Sequence, residues 1–284
     1  MKKQYRDDSL ALHTDLYELN MAHTYFKDHI HKRRSVFEAY FRRMPFESGY
    51  AVFAGLERVI DFIANFRFSE TDLDYLYEEL HYEAEFIDYL KQVRFSGNIR
   101  SVVEGEMIFA NEPMLQIDAP LAEAQLIETP LLNILNFHPL IATKASRIRL
   151  AAGEDNLYEH TGTNQLMEFG SRRAHELDAA FYGARAAYIG GFDATSNVRA
   201  GKVFGIPVSG THAHALVQVY RDEYSAFKKY AESHRNCIFL VDTYNTLKSG
   251  IPNAIKVAKE MGERINFIGI RLDSGRLPYL SQEA

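Results

Sequence analysis

The 284 residues include one cysteine, Cys237, so no disulfide can form within the chain. It opens the apolar run Ile238-Phe239-Leu240-Val241, where a small buried hydrophobe is expected rather than a reactive thiol. Long apolar runs are also missing, because no stretch reaches the roughly 18 uncharged residues needed to cross a bilayer. The opening residues Met1-Lys2-Lys3-Gln4-Tyr5-Arg6-Asp7-Asp8 hold no apolar signal core. A soluble, cytoplasmic protein without membrane contact is the expectation. Nor is there an excess of positive charge, and a net charge of −6 gives no electrostatic reason to bind nucleic acid or an anionic lipid surface. A small anionic substrate can still be held by a few local arginines. Low-complexity linkers and short-period repeats are lacking too, so the two halves of the chain are expected to pack closely.

What is present is enough apolar material for a large core, with 46% hydrophobic and 25% charged residues. The length fits one large α/β barrel or two smaller units. Residues 10–30 place Leu10, Leu12, Leu16, Leu19 and Met21 on one helical stripe, with Thr14 or Asp15 as the cap. Residues 35–42 alternate like a strand, 49–65 have helical spacing, and 69–91 read as two short acidic helices. From 98 to 117 the period falls to two between turn residues, which predicts short antiparallel strands. A long helical segment, 120–152, follows. Pro130 and Pro139 interrupt its pattern, and a kink or break is expected near His138-Pro139.

The second half repeats a short apolar run, a knot of polar residues and glycine, and a helical stretch. The knots are Glu168-Phe169-Gly170-Ser171-Arg172-Arg173, Gly190-Gly191-Phe192-Asp193-Ala194-Thr195-Ser196-Asn197, Ser209-Gly210-Thr211-His212-Ala213-His214, Val241-Asp242-Thr243-Tyr244 and Arg271-Leu272-Asp273-Ser274-Gly275. They recur roughly every 20–35 residues, the length of one strand-plus-helix unit. Strands are predicted at 164–169, 187–190, 206–211, 237–242 and 266–272. In a parallel βα array all strand ends lie on one side, so the knots are expected to share a surface. Closure of a barrel takes eight such strands. The fold is therefore read as an open sheet or an incomplete barrel.

Several knot residues carry chemistry. His212 and His214 lie two apart, which on a strand would make them a metal-binding pair and suit a metal-dependent hydrolase. The alternatives are one functional histidine, acting as nucleophile or acid/base, or a hydrogen-bonded structural one. Phe169-Gly170 leaves room for a planar ligand to stack, and Arg172 or Arg173 can grip a carboxylate or phosphate with two parallel bonds, or face solvent. Asp242 and Asp273 each follow an apolar strand, where a carboxylate is costly unless it meets metal, substrate or cation. Arg271 shares a face with Asp273, and together they can bind a Mg-phosphate group.

With these residues assembled, the chain resembles the nicotinate phosphoribosyltransferases along its whole length. The front half contributes Thr14-Asp15-Leu16-Tyr17-Glu18-Leu19-Asn20-Met21, the segment from Gly49 to Glu57, Asn111-Glu112-Pro113, Glu128-Thr129 with Leu131-Leu132-Asn133, and Ala142-Thr143-Lys144-Ala145. The back half contributes the five knots. The resemblance implies an N-terminal α+β domain, residues 1–130, followed by an incomplete α/β barrel of the type II phosphoribosyltransferase kind, residues 131–284. It implies that nicotinate reacts with 5-phosphoribosyl-1-diphosphate to give nicotinate mononucleotide and pyrophosphate, the first step of NAD salvage by the Preiss-Handler route. Mg²⁺ and ATP take part, and ATP hydrolysis is coupled through a phosphohistidine.

By the same resemblance, His214 is the phosphorylated position and His212 its neighbour. Arg271, Asp242 and Asp273 attend the phosphoryl groups, the two aspartates either holding Mg²⁺ or orienting the histidine. Phe169 stacks on the pyridine, Tyr17 opposes it from the other subunit of a homodimer, and Arg172 takes the nicotinate carboxylate. Thr211, Ser196 and Asn197 complete the substrate-binding set. Enzymes acting on nicotinamide carry aspartate at the position of Ser196, so serine favours the acid. Arg276, Asn245 and His138-Pro139 depart from the family pattern. Members also run well beyond position 284, so the chain reads as a truncated member, with an inactive fragment as the alternative to an active enzyme.

Overall fold

The computed structural model describes residues 9–153 and 165–284. They fall into two compact units, divided after Val208.

In the first unit, α1 (Leu16–Lys27) follows Asp15, whose side chain does not cap it. Asp15 instead accepts a bond from Thr129 at 3.0 Å. The strand expected at 35–42 is β1 (Arg34–Ala39). The segment 49–65 is not helical throughout. It begins with β2 (Ala51–Val52), and only then, after left-handed Gly55 at φ 103, enters α2 (Leu56–Ala64). A chain that must turn so sharply cannot carry one helix through the turn, whatever its apolar spacing. The two acidic helices are α3 (Glu70–Glu78) and α4 (Ala84–Gln92). Ser69 and Asp72 form a reciprocal capping box at the start of α3.

Next come β3 (Asn98–Ser101), β4 (Met107–Ile108) and β5 (Leu115–Pro120). The sheet order is β1-β5-β3, antiparallel, with Phe37 and Ile99 both opposite Ile117. Because β5 is central, Leu115, Ile117 and Ala119 alternate into the core. Phe53, Phe86, Leu90, Leu126 and Leu135 complete that core.

The long helical segment divides at Ile127 into α5 (Leu121–Leu126) and α6 (Glu128–Ala152). The break expected at His138-Pro139 is absent, and α6 runs through Pro139. Proline withdraws one backbone donor, but burial on this apolar stripe keeps the segment helical. Pro130 falls in the first turn, where its missing donor has no intrahelical partner to lose. The expected domain boundary between 130 and 131 lies within α6, while compactness divides the chain at a later point.

The unit ends with β6 (Met167–Glu168), α7 (Glu176–Ile189), β7 (Ala194–Thr195) and α8 (Val198–Phe204). Strands β6 and β7 are parallel, and a single parallel bridge joins Thr195 to Val208. Two strand predictions need correction. Residues 187–189 close α7 and Gly190 is its C-cap, so the strand of that repeat is Ala194–Thr195. A short apolar run reads alike in a buried helix and a strand, and here Ala186 and Ala187 continue the helix. The strand expected at 206–211 amounts to that one bridge. Residue 164 of the first predicted strand lies outside the described residues.

The second unit contains α9 (His214–Val219), α10 (Glu223–Ser233), β8 (Asn236–Leu240), α11 (Ile251–Met261), β9 (Asn266–Arg271) and α12 (Leu277–Glu283). The parallel pair β8–β9 matches the two predicted strands there. Cys237 is fully buried with Phe227, Phe239, Val241 and Val257, as expected of a small hydrophobe. Among the described residues no helix is long and apolar enough to cross a membrane.

Candidate active site

The knots gather in two groups, one in each unit. In the first unit Glu168, at the end of β6, binds the neighbouring knots together. One of its carboxylate oxygens accepts the Gly170 N–H. The other accepts the Thr195 hydroxyl at 2.7 Å, and its backbone carbonyl accepts Ser196 N–H at 2.9 Å. Thr195 is fully buried and its hydroxyl also receives the Asn197 N–H at 3.0 Å. Asn197 caps α8 through Ala200 N–H at 3.0 Å and donates to the Ser171 hydroxyl at 3.3 Å. Phe169, half-buried, and exposed Arg172, in the short turn Ser171–Arg173, are therefore carried on a loop fixed from both sides. Asp193, in the second knot, pairs with Arg149 and accepts the Leu166 N–H at 2.7 Å. Burial alone would raise its pKa, but those contacts hold it below the usual carboxylate range.

Tyr17 lies on α1 and is 50% exposed. Its hydroxyl is held by the neighbouring Glu18, which pushes the phenol pKa up. Glu18 is fully buried, accepts from Gln125, and has its own pKa raised first by burial.

In the second unit the last three knots surround His214. Its Nδ1 lies 3.0 Å from the Thr243 hydroxyl, and its Nε2 lies 3.6 Å from an Asp273 carboxylate oxygen. The other Asp273 oxygen pairs with Arg271, whose guanidinium also donates to Thr211 Oγ1 at 3.4 Å. One Asp242 oxygen accepts the Asp273 N–H at 2.9 Å and the Ser274 hydroxyl at 2.6 Å. Its other oxygen, Oδ1, is buried and has no hydrogen-bond partner. A half-buried imidazole thus has beside one nitrogen a carboxylate that is itself paired with a cation, and a hydroxyl on the other. That arrangement suits nucleophilic or acid/base work.

The paired-histidine reading fails on geometry. His212 is 7% exposed and turns inward, with its ring 4.9 Å from that of Tyr230. Its Nε2 receives the buried Leu240 N–H at 3.2 Å while Nδ1 faces the Ala213 carbonyl at 3.4 Å. Burial lowers its pKa, which keeps the ring neutral. The segment is not a strand, and His214 already begins α9, so residues two apart do not share a face. No group of three or more potential metal-ligating side chains occurs among the described residues.

Three contributors escaped the sequence reading. Glu168, Thr243 and Ser274 sit within the knots, but nothing in their spacing revealed that they hold the others in place. Of the family departures, Asn245 caps the following turn through Lys248 N–H at 2.9 Å, a task aspartate performs equally. Arg276 is the exposed N-cap residue of α12.

Two family models match the chain: the nicotinate phosphoribosyltransferase N-terminal domain over residues 12–136, and the nicotinate phosphoribosyltransferase family over residues 164–281. This chain belongs to the nicotinate phosphoribosyltransferase family. It is similar to the nicotinate phosphoribosyltransferase of Bacillus subtilis, 63% identical over 280 residues, covering 99% of this chain and 55% of that protein. Nicotinate phosphoribosyltransferase 2 of Arabidopsis thaliana is 38% identical over 322 residues, covering 95% of this chain and 56% of the relative. The chain spans about half the length of these curated relatives. Among solved structures, human nicotinic acid phosphoribosyltransferase superposes with a TM-score of 0.86 at 32% identity, covering 95% of this chain and 63% of that one. Nicotinate-nucleotide pyrophosphorylase from Pyrococcus furiosus follows with a TM-score of 0.76 at 25% identity, covering 100% and 64%. The fold class is accordingly the mixed α/β fold of the type II phosphoribosyltransferases.

Proposed function

We propose that this chain carries the nicotinate and phosphoryl-transfer groups of a nicotinate phosphoribosyltransferase. In this reading the pyridine nitrogen attacks C1 of 5-phosphoribosyl-1-diphosphate, the C1–oxygen bond breaks, and pyrophosphate leaves, giving nicotinate mononucleotide. The arrangement around His214 carries the proposal: an imidazole between Thr243 and Asp273, with Arg271 adjoining. His214 would accept the γ-phosphoryl group of ATP, releasing ADP, and later yield it to water, so that hydrolysis drives the first step of pyridine salvage. Thr243 and Asp273 orient the ring, and Arg271 offsets charge on the transferred group.

Mg²⁺ neutralises phosphate oxygens when bound. Asp242 suits it best, since Oδ1 lacks a partner, whereas both Asp273 oxygens already meet a base. One or two carboxylates with substrate phosphates are sufficient for this ion. Phe169 and Tyr17 would sandwich the pyridine, with Tyr17 supplied across a homodimer; its 50% exposure supports that role. Arg172 takes the carboxylate, while Ser196, Asn197 and Thr211 are further substrate-binding positions. The division into residues 1–130 and 131–284 and the cytoplasmic setting belong to the same proposal.

The test is formation of nicotinate mononucleotide from nicotinate and phosphoribosyl diphosphate, with and without ATP, alongside acid-labile labelling from γ-labelled ATP. His214→Ala should lose the label and the ATP stimulation. Retention of label in that variant would sink the reading. The span of about half the relatives' length favours a second reading, in which the chain is an inactive portion of the enzyme. Under it, nucleotide formation is absent while the label, if any, still depends on His214.

A further inference from the structure

The two chain segments that meet at His214 and Thr243 meet a second time farther along, at Glu223 and Ser249. Glu223 opens α10, where an acid in the first turn is ordinary if solvent surrounds it. It is instead 2% exposed, and the capping of α10 falls to Asp222, which accepts the Ser225 N–H at 2.8 Å. Glu223 Oε2 accepts the Ser249 hydroxyl, while Oε1 is buried without a partner. Burying a carboxylate on a single hydroxyl is costly, so the stability of α10 does not account for the residue. What the contact supplies is a tie between α10 and the turn that follows β8.

That turn, Thr246–Gly250, is π-helical, a rare geometry that recurs at functional sites. The Asn245 carbonyl accepts both the Ser249 and the Gly250 N–H, at 3.0 and 2.9 Å, and the Asn253 amide donates to Ser249 Oγ at 3.4 Å. Gly250 lies so close to Val241 that a Cβ would stand 1.9 Å from its carbonyl oxygen. Ser249 is thus tied to Glu223, and its neighbour is seated on the backbone that leads into Asp242 and Thr243. The Thr243 hydroxyl in turn lies 3.0 Å from His214 Nδ1. Two contacts between the same two segments fix their relative placement, where one alone would let them pivot.

We propose that Glu223 is a positioning residue for the His214 imidazole, acting through Ser249 and the π turn to hold Thr243 against Nδ1 and so fix the ring's orientation and tautomer. That the ring so placed accepts a phosphoryl group rests on the function proposed above; its placement does not. Two readouts on the full chain examine this: the ¹⁵N shifts of the His214 ring in alkaline solution, and the rate of labelling from γ-labelled ATP. Glu223→Ala and Ser249→Ala should each move the shifts towards those of free histidine and slow labelling about tenfold. Glu223→Gln retains a group able to bond the Ser249 hydroxyl, and should keep the parent shifts with labelling within about twofold. Met261→Ala, which opens the core at the end of α11, should lower stability and leave the shifts in place. If Ser249→Ala unfolds, because it strands both Glu223 oxygens, the two Glu223 variants decide. A parent chain that takes no label sinks the proposed function, while the shifts still judge the positioning. Unchanged shifts or undiminished labelling in Glu223→Ala, equal damage in Glu223→Gln, or the same shift change in Met261→Ala would each overturn the proposal.

Discussion

In the first unit, the residues offered to a planar acid are held by one carboxylate, Glu168, acting on a backbone amide and a hydroxyl. In the second, His214 is held among opposed charges, Asp273 against Arg271, with Asp242 fixing the loop beneath. The first device fixes the course of the backbone and leaves Arg172 exposed at its end. The second places beside His214 Nε2 a carboxylate that is itself paired with a cation. Under the proposed function, stacking would use a rigid shape and phosphoryl transfer would use charge already in position, which is the sense in which the two groups of knots differ.

The largest test of this contrast strikes the support behind Asp242. A Cβ on Gly250 would lie 1.9 Å from the Val241 carbonyl oxygen, a contact with backbone that cannot swing away. Gly250→Ala should cost roughly 3 kcal/mol or more in urea unfolding and disturb the His214 group while sparing the Glu168 loop. A loss below about 1 kcal/mol would show that the β8 end yields easily.

The next effect belongs to the first unit and depends on pH. Burial first, then Arg185 and Arg58 against the opposing pull of Glu104, lower the His138 pKa to about 4. Because the unfolded histidine titrates near 6.5, the neutral folded ring costs nothing above that pH. Stability then falls as pH drops from about 6.5 towards 4, by about 3 kcal/mol in total. His138→Phe should flatten that limb of the urea-midpoint profile. An unchanged slope would assign the acid sensitivity to other groups.

Smaller again is the separation of the two neighbouring histidines. His212→Ala strands the Leu240 N–H and should cost about 2 kcal/mol, with the loss visible in thermal melting. His214→Ala, at a half-buried position, should stay within about 0.5 kcal/mol of the parent while removing the phosphoryl label. Comparable melting losses in both would erase the distinction between structural and reactive imidazole. A further modest change is Glu168→Gln, which keeps the shape but puts an N–H donor in place of one of the two oxygens that accept from Gly170 and Thr195. It should lower stability by about 1 kcal/mol and raise KM for nicotinate more than it lowers kcat. A fall in kcat alone would contradict a positioning role.

Much of this was legible in the chain. Alternation over 98–117 gave short antiparallel strands, and the apolar runs before Asp242 and Asp273 gave the β8–β9 pair. The run at 187–190 reads as a strand because strand and buried helix share the same apolar signature over so few residues, while 206–211 yields only the bridge from Val208 to Thr195. His212 and His214 show the limit most clearly. Their identity and spacing are written in the sequence, but which faces inward follows from the start of α9 and from the distant Leu240 N–H. Likewise Thr243 and Ser274 became visible only through partners about 30 residues away in the chain.

By itself, the sequence determined the kinds of group available: a stacking ring and arginine in the first knot, an imidazole in the third, carboxylates in the fourth and fifth. It also determined the family, because long motifs in a fixed order are specific. Only the tertiary structure decided that Glu168 fastens the first two knots, that Asp273 rather than His212 neighbours His214, and that His138 is buried. Those outcomes depend on which donors meet which acceptors once distant segments pack. Local spacing constrains a side chain's face, but its partner is set by the fold.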